Sequence, residues 1–578
     1  MPPSSGPAPA ASAPLEIPKQ AHTLTISASA VFLVSLIVQV LGLVATVVFN
    51  KTVTYSTSGK ELVGTVQLFL IIGSSISGVG DLRLGTAYSY FLARGRPATD
   101  LTSTYLVLRL IMVGTAGIIL FGLGPVKIFG STLAVGPTEW TSLGIFVSLP
   151  ILWSFSTVYN ALYVGTGNSL KAQYPSLVES IVRLPILVFV AYYWPTIIGM
   201  TVAYAIGAAS SALYSVLGVS ERLHQFQRSE AKRMFRFAWP LMGSLLLNYL
   251  VTNMVPLIIN ANLDTIQLNI FLLANGWRIL VLSLPAAITT PLFPYLAGLH
   301  RKAEYEGVRQ GTWQALRYSA MILVPGVVAL VTYRSVLLNV LGNQSYVGPA
   351  SLPLAILVIG ALPLAFSQII QSSINAIGRQ RLELYITSTQ VAVLFGAVFL
   401  LMPPWGILPP SQGLIAGSIA VLASSIAALA LNTYFMETLI RVHIHPRSIG
   451  GIILSAAGAF FVISQFNRYL PHNRYYQLAF GILLGFAVYF AILFLIGEIT
   501  RQDVRRVGRS VGLPAWFVRP FERICWRETA PDLAPVDLAR APGLRPTELP
   551  ETFTGDTEIP TIEPLPTDID LDDEAKPP

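Results

Sequence analysis

The sequence predicts an all-α polytopic membrane protein with about fourteen transmembrane helices. Three observations carry that expectation. The 578-residue chain is 53% hydrophobic and only 11% charged, against about 25% charged residues in soluble domains. Its apolar residues gather in runs of about 20, the length that crosses ~30 Å of hydrocarbon as a helix. One basic stretch, 221–236 (ERLHQFQRSEAKRMFR), divides those runs into two sets of six that resemble each other. The mean hydropathy of +0.62 leaves too little polar surface to cover a soluble molecule.

Residues 1–24 are rich in Pro, Ala and Ser and are expected to be a disordered leader, without the apolar core of a signal peptide. Residues 25–220 hold six spans, near 27–49, 62–92, 103–124, 141–163, 174–194 and 197–219. The second is too long for a simple crossing and carries Gly78, Gly80 and Gly85 around Asp81 and Arg83, so a tilt or break is expected there. Residues 221–236 are expected to be a cytoplasmic basic hinge. Residues 237–437 hold six more spans, near 237–260, 268–297, 314–333, 351–376, 383–402 and 412–436, and 438–500 add two, near 449–466 and 477–497.

Orientation follows from Lys and Arg in the short loops. With the N-terminus inside, the inner loops hold 16 basic residues and the outer loops six, so both termini are expected in the cytoplasm of a multi-pass cell-membrane protein. Residues 501–527 are basic with interleaved aromatics and suit either the inner leaflet or a plain stop-transfer segment. Residues 528–578 are acidic, Pro-rich and expected to be disordered. This tail carries 13 acidic and 3 basic residues, a net −10, which leaves +18 on the rest of the chain. That charge suits anionic lipid heads or an anionic substrate. Nucleic acid is disfavoured because the basic residues lie in short loops between spans. The single cysteine, Cys525, excludes an intrachain disulfide framework, and no cofactor or metal site is expected.

The two six-span sets match at equivalent places. Gly167 precedes Tyr174 by seven residues after the fourth span, and Gly378 precedes Tyr385 by seven after the tenth. Gly199 precedes Ser210-Ser211 in the sixth span as Gly413 precedes Ser424-Ser425 in the twelfth. The second and eighth spans end in aromatic stretches (Tyr88-Ser89-Tyr90-Phe91; Phe293-Pro294-Tyr295), and the first and seventh end at Asn50 and Asn260. Six spans per repeat gives both lobes the same orientation, related by a pseudo-twofold along the membrane normal, with a site at their interface.

This pattern, with segment 237–300 (FAWPLMGSLLLNYLVTNMVPLIINANLD through LFPYLAGLHRKAEYEG) its most specific part, resembles the polysaccharide-transport branch of the multidrug/oligosaccharidyl-lipid/polysaccharide exporter superfamily. The resemblance covers about 25–500. It implies a V-shaped two-lobe flippase that moves lipid-linked oligosaccharide across the membrane by alternating access.

Ionisable residues inside spans mark candidate function. Arg278 lies near the middle of span eight with no acidic residue at i±3 or i±4, only Asn275, and is the leading substrate-binding candidate. Arg183 in span five has Glu179 four residues earlier, a structural pair or a cavity lining. Asp81 and Arg83 are two apart and cannot face each other on a regular helix, which favours a gating or interlobe contact. Arg109 and Arg317 sit near the inner ends of spans three and nine, where snorkelling to headgroups is the expectation for Arg317 and an even alternative for Arg109. Gln39 in span one and Asn248 in span seven lie at comparable depths. The excess of deep arginine over deep acid suits a diphosphate-linked carrier lipid.

Three competing functions remain. A drug or cation antiporter of the same superfamily places an acid in span one, and none stands between Ala30 and Asn50. A peptidoglycan-precursor flippase fits the same pattern. A polytopic glycan polymerase or ligase needs a large outer catalytic loop, a Gly-rich nucleotide loop or clustered carboxylates, none of which is found. The expected partners are the lipid-linked oligosaccharide, membrane lipids and saccharide-assembly enzymes.

Overall fold

The computed structural model describes residues 57–505 apart from 94–96, 123–135, 167, 220–224, 342–343, 380, 404–405, 443–445, 470–474 and 502, with isolated positions in 34–53 and residues 519 and 522. The expected leader, most of the first span and the acidic tail lie outside the described residues. Every regular element among the described residues is helical, the state in which a chain in hydrocarbon satisfies its own backbone groups. Among the described residues, twelve helices are long and apolar enough to cross a membrane, and a shorter apolar stretch spans Phe480–Ile496.

The second span is broken where its glycines cluster, into α1 (Thr57–Val79) and α2 (Leu84–Ala93). The remaining long helices follow the expected order: α3 (Ala98–Gly122), α4 (Pro137–Gly165), α5 (Tyr174–Tyr193), α6 (Ile197–Val219), α7 (Arg228–Asn262) and α8 (Thr265–Arg301). Then come α9 (Tyr305–Thr332), α10 (Gln344–Ala376), α11 (Arg381–Leu401), α12 (Gly413–Phe435), α13 (Pro446–Tyr469) and α14 (Tyr475–Ile496). Asp264 caps α8, its carboxylate accepting from the Gln267 N–H at 2.6 Å.

The two halves pack alike. In the first, α4 lies against α6; in the second, α10 lies against α12. Each pair is joined by small polar side chains: Ser156 to Ser211 at 2.7 Å, and Asn432 donating to Ser367 at 2.6 Å. Between helices in lipid, such contacts substitute for a hydrophobic drive that apolar tails do not provide.

The hinge differs from expectation. Residues 228–236 are not a linker but the first turns of α7, a 35-residue rod of roughly 52 Å at 1.5 Å per residue. Its start is fixed to the first half. The Gln227 N–H donates to Thr104 Oγ1 at 3.0 Å and its amide donates to Asp100 at 2.6 Å. Met234 and Ala238 are buried among Leu84, Tyr88, Leu101 and Tyr105, and the rest of α7 runs on to α8, α11 and α12. This segment buries Ala231 and Met234, exposes Arg228, Lys232 and Arg236, and buries Glu230 in a 2.8 Å pair with Arg233.

Arg317 also departs from expectation. It does not snorkel; it is 2% exposed. Its guanidinium donates to Glu498 Oε1 at 3.0 Å, to the Glu498 carbonyl, and to Asp503 at 3.1 Å. Tyr318 donates to the other Asp503 oxygen at 2.6 Å, and Ser448 of α13 donates to Glu498. Gly497 makes the reach possible. At φ +76° it closes α14 with Glu498 N–H bonded to Leu493 O and Gly497 N–H to Phe494 O, turning the chain back.

Candidate functional site

The candidate site is built on the break between α1 and α2. Gly80, Asp81, Leu82 and Arg83 form overlapping turns, with Leu82 at φ 42° and Arg83 at φ 61°. Left-handed backbone costs a non-glycine residue roughly 1–2 kcal/mol, and here it turns neighbouring charges in different directions. A Cβ on Gly80 would lie 2.5 Å from Val113 of α3, so the break also needs glycine for close packing.

Asp81 faces the first half. Arg109 Nη1 donates to its Oδ1 at 2.5 Å, as does the Tyr105 hydroxyl, also at 2.5 Å. Arg109 further donates to Ser77 Oγ at 3.0 Å and Ser77 O at 3.2 Å. Asp81 and Arg109 line a cavity of ≈ 310 Å³ with Ser74, Ser77, Trp153, Thr157 and Tyr249. Tyr249 comes from α7 and lies where a side chain on residue 78 would be: a Cβ on Gly78 would stand 1.2 Å from its oxygen.

Arg83 faces the other way. Its guanidinium meets Glu383 at the start of α11 at 3.5 Å and joins the two halves of the molecule. Asn375 of α10 donates to the second Glu383 oxygen at 2.9 Å. Glu383 is within reach because Gly378, at φ +84°, ends α10 in a tight reversal into α11. Arg83, Asn375 and Glu383 line a second cavity, of ≈ 420 Å³, with Thr289, Phe293, Gln368, Gln371 and Ser372.

The other candidates are dispersed. Arg278 is the fourteenth residue of α8, roughly 20 Å along its axis. It is 9% exposed, donates to no carboxylate among the described residues, and donates to Asn275 Oδ1 at 3.2 Å. It lines neither cavity. Arg183 is paired with Glu179 at 2.8 Å and lies over the Tyr204 ring at 5.0 Å. Asn248 spends its amide on Ser244 O of its own helix at 3.1 Å. Gln39 is half-buried in the sparsely described first span, and its Oε1 has no hydrogen-bond partner among the described residues.

The sequence reading missed Glu383 and the polar residues of α10. Gln368, Gln371, Ser372 and Asn375 recur at i, i+3, i+4 and i+7, a helical stripe that periodicity exposes when polar rather than apolar residues are counted.

Broken helix, paired halves and interlobe cavities together define a two-lobe, all-helical multi-pass membrane fold. Comparison with known proteins places the chain more closely. Residues 99–350 match the family model described as polysaccharide biosynthesis protein. No curated protein matches the sequence. Among solved structures, the chain is similar to a lipid II flippase MurJ in an inward closed conformation, at TM-score 0.66 and 13% identity, covering 80% of this chain and 97% of that one. It is similar to an inward-facing multidrug resistance transporter of the MATE family of the same superfamily, at TM-score 0.57 and 15% identity, covering 70% and 94%. A third likeness, at TM-score 0.55 and 15% identity, covers 73% and 96% of a superfamily transporter from Pyrococcus furiosus whose binding pocket has reversed polarity. The chain therefore has the fold of the multidrug/oligosaccharidyl-lipid/polysaccharide exporter superfamily, and its middle resembles the polysaccharide biosynthesis family in sequence.

Proposed function

We propose that the protein is a flippase that moves a polyprenyl-diphosphate-linked saccharide across the cell membrane by alternating access, not an enzyme. Both termini lie in the cytoplasm, and a lobe of residues 25–220 is joined to one of 237–437 through a short connection that runs into the first turns of α7. The carrying observation is Arg278. A charge at the middle of a span costs ~2.5–3.5 kcal/mol to insert, and only an amide offsets it here. A diphosphate supplies the missing negative charge and the paired oxygens that a guanidinium fork matches. Asp81, Arg109 and Arg83 line the route at the helix break, with Gln39 offering an amide oxygen and Asn248 the oxygen of an amide whose N–H is held by Ser244 O. Arg183 contributes through its pair with Glu179, as a fixed dipole. Membrane lipids and saccharide-assembly enzymes are the natural partners.

The test is translocation of a fluorescent lipid-linked oligosaccharide in proteoliposomes, wild type against R278A. We expect at least a tenfold slower rate for R278A, equivalent to about 1.4 kcal/mol. Equal rates would remove Arg278 from the site. A second reading, transport of a peptidoglycan precursor, is favoured by the fold likeness to the lipid II flippase. Preferential transport of lipid II in the same vesicles would select it. The absence of an acid between Ala30 and Asn50 in span one weighs against cation-coupled drug export.

A further inference from the structure

The polar stripe of α10 lies apart from Arg278, which does not line its cavity. Gln368, Gln371, Ser372 and Asn375 occupy two turns at the C-terminal end of α10, all half-buried and all on the ≈ 420 Å³ cavity. Polar side chains inside a membrane helix face another helix or a water-filled space: Asn375 donates to Glu383 at 2.9 Å and Ser372 to the Thr289 carbonyl at 3.5 Å, while Gln368 and Gln371 face the space. No hydrogen bond within the described protein occupies the amides of Gln368 and Gln371. The facing wall carries Phe293 of α8, 40% exposed. The cavity's two charges, Arg83 and Glu383, neutralise each other at 3.5 Å. Its volume falls within the ~300–1,000 Å³ typical of small-ligand sites.

We propose that this cavity is the saccharide subsite, which takes the neutral polyhydroxylated headgroup while the diphosphate is held elsewhere. The inference rests on the lipid-linked saccharide reading. Each glutamine amide offers two donors and one acceptor, the complement of neighbouring sugar hydroxyls, which donate and accept in turn. Ser372 adds a hydroxyl on the same face. The Phe293 ring offers an apolar plane for the C–H face of a pyranose. With its charges already paired, the lining gives a bare anion little to bind.

The full-length protein in lipid nanodiscs is titrated by calorimetry with geranyl diphosphate and with the same diphosphate bearing a disaccharide. The wild type should bind the sugar-bearing probe about tenfold more tightly, the gain expected from two to three new hydrogen bonds. Q368L/Q371L, and Q371A alone in smaller measure, should lose that gain while binding geranyl diphosphate as the wild type does. The unchanged diphosphate affinity also serves as the check that the variants fold. If the wild type binds both probes equally, or if the variants keep the full sugar gain, the subsite assignment is overturned and the flippase reading stands. If the wild type binds neither probe, both fail together.

Discussion

Asp81 and Arg83 illustrate what sequence holds at the scale of a residue. That they could not face each other was legible from their spacing, and the surrounding glycines marked the break. Their partners were not legible. Arg109 is 28 residues from Asp81 and Glu383 is 300 from Arg83, so no i±4 rule reaches them. Arg109 is almost fully buried, and removing one member of a buried pair leaves the other uncompensated at a cost of about 3–5 kcal/mol. D81N should therefore lower the unfolding midpoint of the detergent-solubilised protein sharply. D81N/R109Q should recover part of the loss, because both charges are then gone; a double variant as unstable as the sum of the singles would show the pair to be uncoupled. Gly78 makes a second residue-scale prediction. Any side chain there collides with Tyr249, and overpacking costs about 1–3 kcal/mol. G78A should be destabilised and G78A/Y249A less so, by the same melting measurement.

At the scale of elements, helix positions were read well where apolar runs were clean. The expected sixth span, 197–219, has the observed limits of α6, and the twelfth, 412–436, differs from α12 by one residue at each end. The reading failed at α7, where basic residues sit on a helix that buries its other face, and at Arg317, whose counter-charges lie beyond the next several helices. The Arg317 cluster ties α9 and α13 to the segment after α14. Burial alone would raise the Asp503 carboxyl, but Arg317, with hydrogen bonds from Tyr318 and Thr500, outweighs it and holds it below the ordinary carboxylate value. A carboxyl depressed in the folded state stabilises the fold above its unfolded pKa and loses that contribution as the pH falls through the folded one. Thermal midpoints should thus be flat from pH 8 to 5 as far as this group is concerned and fall below pH ~4. D503N should lower the plateau and remove the acid limb that belongs to Asp503. A plateau unchanged in D503N would mean that Glu498 alone balances Arg317.

On the scale of the whole molecule, the two-lobe plan was visible in the repeat, while the contacts between lobes were not, since they depend on which faces meet. Those contacts differ in kind at the two ends of α1. Near its start, Gly64 lies so close to the Thr265 carbonyl of α8 that a Cβ would stand 2.0 Å from it. This is backbone on backbone, possible only with glycine, and it excludes water. Near the break, the lobes are joined by Arg83 and Glu383, a 3.5 Å pair with Arg83 35% exposed. Pairs of that exposure contribute about 0–1 kcal/mol. The lobes should therefore part first at the Arg83 end, with the Gly64 end acting as the fulcrum. Spin labels at both ends, in a background where the sole cysteine, Cys525, is replaced by serine, make this measurable by pulsed electron resonance. E383Q should lengthen the distance between α2 and α11 and leave the α1–α8 distance near Gly64 unchanged. G64V should do the reverse, because a branched side chain wedges the backbones apart. R83E/E383R, which restores the pair with its polarity exchanged, should return the wild-type distance at the first end. Widening at both ends in E383Q would mean that the halves do not rock about the Gly64 contact.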